Sequence, residues 1–338
     1  MSEMEHKRQK TLIVKKSIVY STLIGMGLLM PLAGDALRPE NPAAAAPKGA
    51  AITINPDDWQ SLADTVRRQA RRFPGAYGYV IKDMHTGQVV EANSDRVFPS
   101  ASLIKLPILC AAFQAVQEGR LSLNTPVVLR RSDRRGGSGI LKFSPSGSIF
   151  TNRELLENMI IHSDNIAAEL VVRQLGIDYL QRTFAHLGLL DTEIHPEGFR
   201  LTPWPVAEDN RTSPRDMAYL LEKIYQRRLV SAEASDQMLD ILKHQKLRDR
   251  LPRFLPTGWE IAHKTGLLRK ACHDVGIVFS PRGDYMICVL TANDRTYKTA
   301  KRFIASMGRI TYGYYQGGSR RPIIQGRRPT PSDASTAS

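Results

Sequence analysis

EIAHKTGLLRKACHDVGIVFSPRGDYMICVLTA, residues 260–292, decides the fold. EIAHK, DVGIVFS and YMICVLTA are short runs rich in apolar and β-branched residues, and Pro281-Arg282-Gly283-Asp284 is the turn between the last two. They predict antiparallel strands near the C-terminal end of the chain. A second strand pair lies far upstream, where AYGYVIKDM and QVVEAN flank His85-Thr86-Gly87. Between the two sets the apolar period changes to that of helices: about Ser102 to Glu118, then NRELLENMIIHS, NIAAELVVRQLG and IDYLQRTFAHLG, then Pro214 to Arg227 and Ser231 to Lys246. WQSLADTVRRQARRF, capped by Asp57 or Asp58, and Thr296 to Tyr312 add a helix at either end. Arg130–Thr151 and Glu193–Arg211 are rich in loop residues. Strands at both ends and helices between them predict an α/β chain of the α+β kind: an antiparallel sheet flanked by helices, with an all-helical domain inserted. The sheet lobe takes about 51–93 and 243–316, the helical lobe about 94–242, and the cleft between such lobes is a natural ligand site.

Three short strings fall in these elements: Ser102-Leu103-Ile104-Lys105, Ser163-Asp164-Asn165 and Lys264-Thr265-Gly266. A Ser-x-x-Lys arises about once by chance in a chain this long, but a given tripeptide only roughly 0.1 times or less. Their joint occurrence in this order therefore carries weight. A serine hydroxyl is a poor nucleophile until a base stands beside it. Residues three apart share a helix face, so Lys105 can reach Ser102. Lysine acts as a base only when burial or a neighbouring cation lowers its pKa, and LIKLPILCAAF is apolar enough to bury it, with Lys264 as the second positive charge. Each string also has a plainer reading: Lys105 as a snorkelling surface lysine, Ser163-Asp164-Asn165 as a helix cap, Lys264-Thr265-Gly266 as a strand end with a turn. Pro107 removes a donor in the second turn of its helix and predicts a kink unless it falls among the first positions.

These motifs, with His263 before Lys264, His273-Asp274-Val275-Gly276-Ile277 after it and Thr212-Ser213-Pro214 opening a helix, resemble the class A β-lactamase and penicillin-binding serine hydrolases over about residues 51–316. The resemblance implies a β-lactamase/transpeptidase-like fold and acyl transfer without metal or cofactor. It implies Ser102 as the acylated nucleophile, Lys105 as its base, and Ser163 as the proton relay to the leaving nitrogen. Lys264 would hold that hydroxyl and the substrate carboxylate, Thr265 would contact the carboxylate, and Asn165 the substrate's amide arm. Gly266 precedes Leu267, whose backbone N–H would join that of Ser102 in an oxyanion hole. Class A enzymes activate the deacylating water from a Glu-x-x-Leu-Asn loop. Glu197 falls near the corresponding place, but Gly198, Phe199, Arg200 and Leu201 follow it, and Glu193, Glu208 and Asp209 are rivals. Three functions remain open: a β-lactamase, a D,D-peptidase acting on peptidoglycan stem peptides, and a non-turnover β-lactam sensor or binder.

The chain of 338 residues carries a net charge of +14. It has no RNP-like string, zinc-finger spacing or aromatic–basic interleaving, so a nucleic-acid partner is not expected. Lys7, Arg8, Lys10, Lys15 and Lys16 precede SIVYSTLIGMGLLMPLAG at 17–34, the plan of a signal peptide or an N-terminal membrane anchor. Residues 35–50 read as an Ala/Pro linker and 317–338 as a disordered basic tail. An exported, monomeric protein is expected: periplasmic, extracellular or anchored on the outer face of the membrane. Three cysteines make no disulfide framework, and no His/Cys cluster has metal spacing.

Overall fold

The computed structural model describes residues 59–195, 209–294 and 296–317. The leader, the linker, Glu197, Glu208 and nearly all of the tail lie outside the described residues.

Five strands form one antiparallel sheet in the order β2-β1-β9-β8-β7. They are β1 (Ala76–Asp83), β2 (Val89–Ala92), β7 (Glu260–Leu268), β8 (Ala271–Phe279) and β9 (Tyr285–Ala292). The central strand β9 is buried at every position, which is why it reads as a near-continuous apolar run. Its period of two still sorts the side chains: Met286, Cys288 and Leu290 enter one core, Tyr285, Ile287 and Val289 the other. The second core is closed by α1 (Trp59–Arg71) and α8 (Tyr297–Gln316), with Phe73 stacked on Phe303 at 4.5 Å.

The first core belongs to the helices between the strand sets: α2 (Lys105–Gln117), α3 (Asn152–Ile161), α4 (Asn165–Leu175), α5 (Ile177–His186), α6 (Pro214–Tyr225) and α7 (Ala232–Lys243). Helix α2 is buried at Leu106, Ile108, Leu109, Cys110, Ala111 and Ala112, so it is an apolar rod within that core and not an amphipathic surface helix. Two pairs of short strands complete the fold: β3 (Phe98–Pro99) with β6 (Arg211–Thr212), and β4 (Pro126–Val128) with β5 (Ile149–Thr151). The expected antiparallel sheet flanked by helices is present.

Three local differences from the sequence reading concern the site. The helix expected from Ser102 begins as a 3-10 turn over Ala101–Ile104, and the α-helix starts at Lys105. Pro107 is then the third residue of α2, where a backbone N–H has no intrahelical acceptor to lose. Lys264-Thr265-Gly266 lies inside β7, and the turn comes only after Leu268.

Candidate active site

Ser102 stands on the 3-10 turn, one residue after Ala101, whose φ of +48° places a non-glycine residue in the left-handed region. Lys105, three residues on, opens α2 with its side chain buried. Its Nζ lies 3.4 Å from Ser102 Oγ, 2.6 Å from the Ser163 carbonyl oxygen, 2.7 Å from Asn165 Oδ1 and 3.4 Å from Ser163 Oγ. The two short contacts are to oxygens that only accept. A neutral amine has two N–H bonds and one lone pair. With both hydrogens given to Ser163 O and Asn165 Oδ1, the lone pair is left for the hydroxyl of Ser102. Burial pushes Lys105 down to about 7, with Asp164 pulling it the other way. The fall comes from burial, as the apolar run LIKLPILCAAF led one to expect, while the second contribution expected from Lys264 is not among its causes.

Ser163-Asp164-Asn165 is cap and site at once, shared out residue by residue. Asp164 is the N-cap of α4 and accepts from Ala167 N at 2.9 Å. Its other oxygen accepts from Ile140 N at 2.6 Å and Leu141 N at 2.8 Å, tying the glycine-rich loop to the helix. Gly139, at φ +112°, is pressed against it: a Cβ there would come within 2.1 Å of Asp164 Oδ2. Ser163 adopts φ +53°, the bend that aims its carbonyl at Lys105 while its hydroxyl faces Lys264. Asn165 begins the helix and hands its side-chain oxygen to Lys105.

Lys264 is fully buried on β7, with Nζ 3.0 Å from Ser163 Oγ and 2.8 Å from the Thr265 carbonyl. Burial, then the positive charges of Lys105 and Arg250, hold it well below its usual range, against the pull of Asp274. Gly266 lets β7 lie flat against the start of the nucleophile turn. A Cβ there would stand 2.9 Å from the His273 ring and 3.2 Å from the Ser100 carbonyl. His273 fixes that approach from the neighbouring strand. Its Nδ1 accepts from Thr291 N at 3.1 Å, so Nε2 carries the hydrogen and donates to Pro99 O at 2.8 Å. Burial lowers its pKa to about 4, and it stays neutral. Behind β7, His263 Nδ1 lies 2.9 Å from Asp274 Oδ1, both groups being buried.

Ser102, Lys105, Asn165 and Leu267 line a cavity of about 210 Å³, together with Ala101, Ile104, Arg135, Gly137, Ser138, Glu169, Asp209 and Leu268. Ser163, Lys264, Thr265 and Gly266 are buried or pressed behind this lining and connect to it through the contacts above. A larger hollow of about 550 Å³ at the β7–β8 turn contains none of the motif residues. Sequence reasoning missed Glu169 and its partner Arg135, 2.8 Å apart at the cavity wall. Helical spacing carries the signal for Glu169, since it falls one turn after Asn165 on the same face. Asp209 is half-buried, and burial raises its carboxyl pKa. Among the described residues no group of three or more metal-ligating side chains converges.

Residues 61–315 match the model of the Beta-lactamase enzyme family. Beta-lactamase VEB-1 of Pseudomonas aeruginosa is 26% identical over 253 residues, 70% of this chain and 85% of that protein. The crystal structure of a beta-lactamase from Sphaerobacter thermophilus superposes with a TM-score of 0.70 at 28% identity, covering 77% of this chain and 98% of that one. A Leu-to-Glu mutant of PBP-A, described as an acyl-enzyme complex with penicillin-G, gives 0.69 at 31% identity, covering 76% and 97%.

Proposed function

The chain belongs to the beta-lactamase enzyme family and is a class A β-lactamase-like serine hydrolase, and from that premise we propose that Ser102 opens β-lactam rings by forming an acyl-enzyme. The observation that carries the proposal is the unbroken chain of contacts Ser102–Lys105–Ser163–Lys264.

Lys105 takes the proton from Ser102 Oγ as that oxygen bonds to the lactam carbonyl carbon. The carbonyl oxygen becomes an oxyanion, held by the N–H groups of Ser102 and Leu267. As the C–N bond breaks, the proton passes from Lys105 through Ser163 Oγ to the leaving nitrogen. Lys264 steadies the Ser163 hydroxyl and, with Thr265 beside Gly266, receives the substrate carboxylate. Asn165 receives the amide arm. Water then attacks the ester carbonyl and gives up a proton to a carboxylate; as the bond from Ser102 Oγ to the carbonyl carbon breaks, that proton passes to Ser102 Oγ and frees it.

That carboxylate separates two readings. Asp209 at the cavity wall, with Glu193, Glu197 and Glu208 in the same loop, are the candidates, and a water-activating carboxylate favours rapid β-lactamase turnover. The missing Leu and Asn after Glu197 favour a peptidase in which a β-lactam stays on Ser102 and peptidoglycan stem peptides turn over instead. Export through residues 17–34, by cleavage or by retention as an anchor, belongs to the same proposal and fits either substrate.

The test mixes the purified protein with a penicillin and a chromogenic cephalosporin, followed by absorbance and intact mass. Many turnovers with a transient adduct support hydrolysis, and a lasting adduct on Ser102 supports the peptidase reading. A Ser102→Ala protein that still forms an adduct or turns over at the wild-type rate would falsify the acyl-enzyme.

A further inference from the structure

Residues 126–151 leave the helical core as one excursion. Strands β4 and β5 pair at its neck, and Leu129 and Ser148 close it, Leu129 N donating to Ser148 O and Gly147 N to Leu129 O, both at 2.8 Å. The enclosed segment carries Arg130, Arg131, Arg134, Arg135 and Lys142 against a single acid, Asp133. Asp133 is buried on the inside, where it accepts from Arg173 at 2.7 Å and from Arg130 N. Arg134 staples the segment from within by donating to the carbonyls of Lys142 and Ser144, and Arg135 is held by Glu169. The shape is therefore fixed, and Arg130 and Arg131 are left exposed on it.

Four large apolar side chains stand in water on the same segment. Phe143 is 79% exposed, Ile149 64%, Val128 47% and Ile140 45%. Val128 and Ile149 are directly opposed across the β4–β5 pair, and the Lys142 ammonium lies 5.1 Å from the Phe143 ring. The β4–β5 neck sets Val128 beside Ile149, and the basic segment beyond it adds Ile140 and Phe143, so exposed apolar and cationic side chains are concentrated on one excursion.

We propose that this excursion docks on an anionic phospholipid bilayer. The apolar tips enter the boundary between headgroups and acyl chains, and the exposed Arg130 and Arg131 meet the lipid phosphates, while Lys142 is held by the Gly137 carbonyl at 2.6 Å. A soluble polyanion would account for the arginines but would leave Phe143 and Ile149 without a partner. The bilayer takes both, which is what decides between them. Arg135, Gly137 and Ser138 belong to the excursion and also line the cavity of Ser102, so docking brings the cavity wall to the membrane surface. The inference stands apart from the chemistry at Ser102.

The three native cysteines are buried, which leaves an introduced surface thiol as the reactive one. An environment-sensitive fluorophore on a Ser132→Cys full-length protein probes the excursion, and one on Leu190→Cys probes a surface outside it. The probes are vesicles of phosphatidylcholine, alone or mixed with phosphatidylglycerol. The fluorophore at 132 is expected to brighten roughly threefold on the mixed vesicles and not on phosphatidylcholine alone, and to lose the gain at about 0.5 M salt. Paired Arg130→Glu and Arg131→Glu changes, or Phe143→Ser alone, should reduce the gain by at least about half. An equal response on both vesicle types, or an equal response at 190, overturns the proposal. So does no response at 132, or a response to dextran sulfate that matches the vesicles and ignores Phe143→Ser.

Discussion

Two buried lysines meet at one serine hydroxyl. Such an arrangement keeps a base available at neutral pH and destabilises the fold. Lys105 falls from its ordinary 10.5 to about 7 in the native protein. Between those values the unfolded chain holds a proton that the native chain has released. By linkage, native stability therefore rises with pH across this window, and Lys105 costs most below about 7. A Lys105→Met protein should lose acylation and gain stability over wild type. The gain should grow as pH is lowered from about 10 to 7, by at most about 1.4 kcal/mol per unit. Urea unfolding at both ends of the window checks this, and a difference independent of pH contradicts it. The same ionisation sets the rate: acylation by a penicillin should rise tenfold per unit below about pH 7 and level off above it, measured by stopped-flow absorbance. A flat profile from pH 5 to 8, on the order of this range, would take Lys105 out of the base's role.

At the level of the element, the capping aspartate holds more than its helix. Asp164 accepts three backbone N–H groups, one from α4 and two from the loop that walls the cavity. An Asp164→Ala change takes the acceptor from all three donors, two of them buried and one part-buried. The expected cost is about 2–4 kcal/mol by chemical denaturation, above the roughly 1 kcal/mol of an ordinary cap. Because the loop loosens with the helix, acylation should slow as well; a loss no larger than that of a simple cap would show that the loop holds itself. The sequence made the cap legible, since Ser, Asp and Asn advertise one. The second half was hidden, because nothing at Ile140 or Leu141 signals that their amides turn toward residue 164. Other gaps have equally local causes. The β4–β5 pair is only three residues a side and begins with Pro126, so it has too little alternation to declare itself. Arg135 and Glu169 come together from a loop and a helix thirty-four positions apart, which no spacing rule connects. The nucleophile turn was legible as a helix, but its 3-10 start follows Ala101 in a left-handed φ that alanine disfavours, which no propensity rule would have offered.

Over the whole molecule, one sheet separates two cores, and the site draws on only one of them. The motif residues all lie toward the helical core or on the edge of β7, while α1 and α8 seal the opposite face. Phe303→Ala removes the ring stacked on Phe73 and opens a cavity in that far core. It should cost about 3–5 kcal/mol of stability while the folded fraction acylates at the wild-type rate. Thermal unfolding and active-site titration measured on one sample separate the two effects; a slowed acylation rate in the folded fraction would show that the cores are coupled. The two strand sets were readable from sequence, but the division into two cores was not, because β8 and β9 are buried on both faces and show no alternation between apolar and polar residues.

Among the described residues β7, the last strand in the order, has no strand on its outer side, and Lys264, Thr265 and Gly266 lie on it. An unpaired strand edge is also a template for another chain. Leu267 and Leu268 are 42% and 38% exposed at its end, as adhesive a pair as the sheet presents. Arg269 and Lys270 follow at once and place like charges where two such edges would meet. The proposed acylation needs the edge bare, and solubility needs it guarded. The strand that holds Lys264 is thus also the one on which edge-to-edge pairing would start, with Arg269 and Lys270 standing between the two.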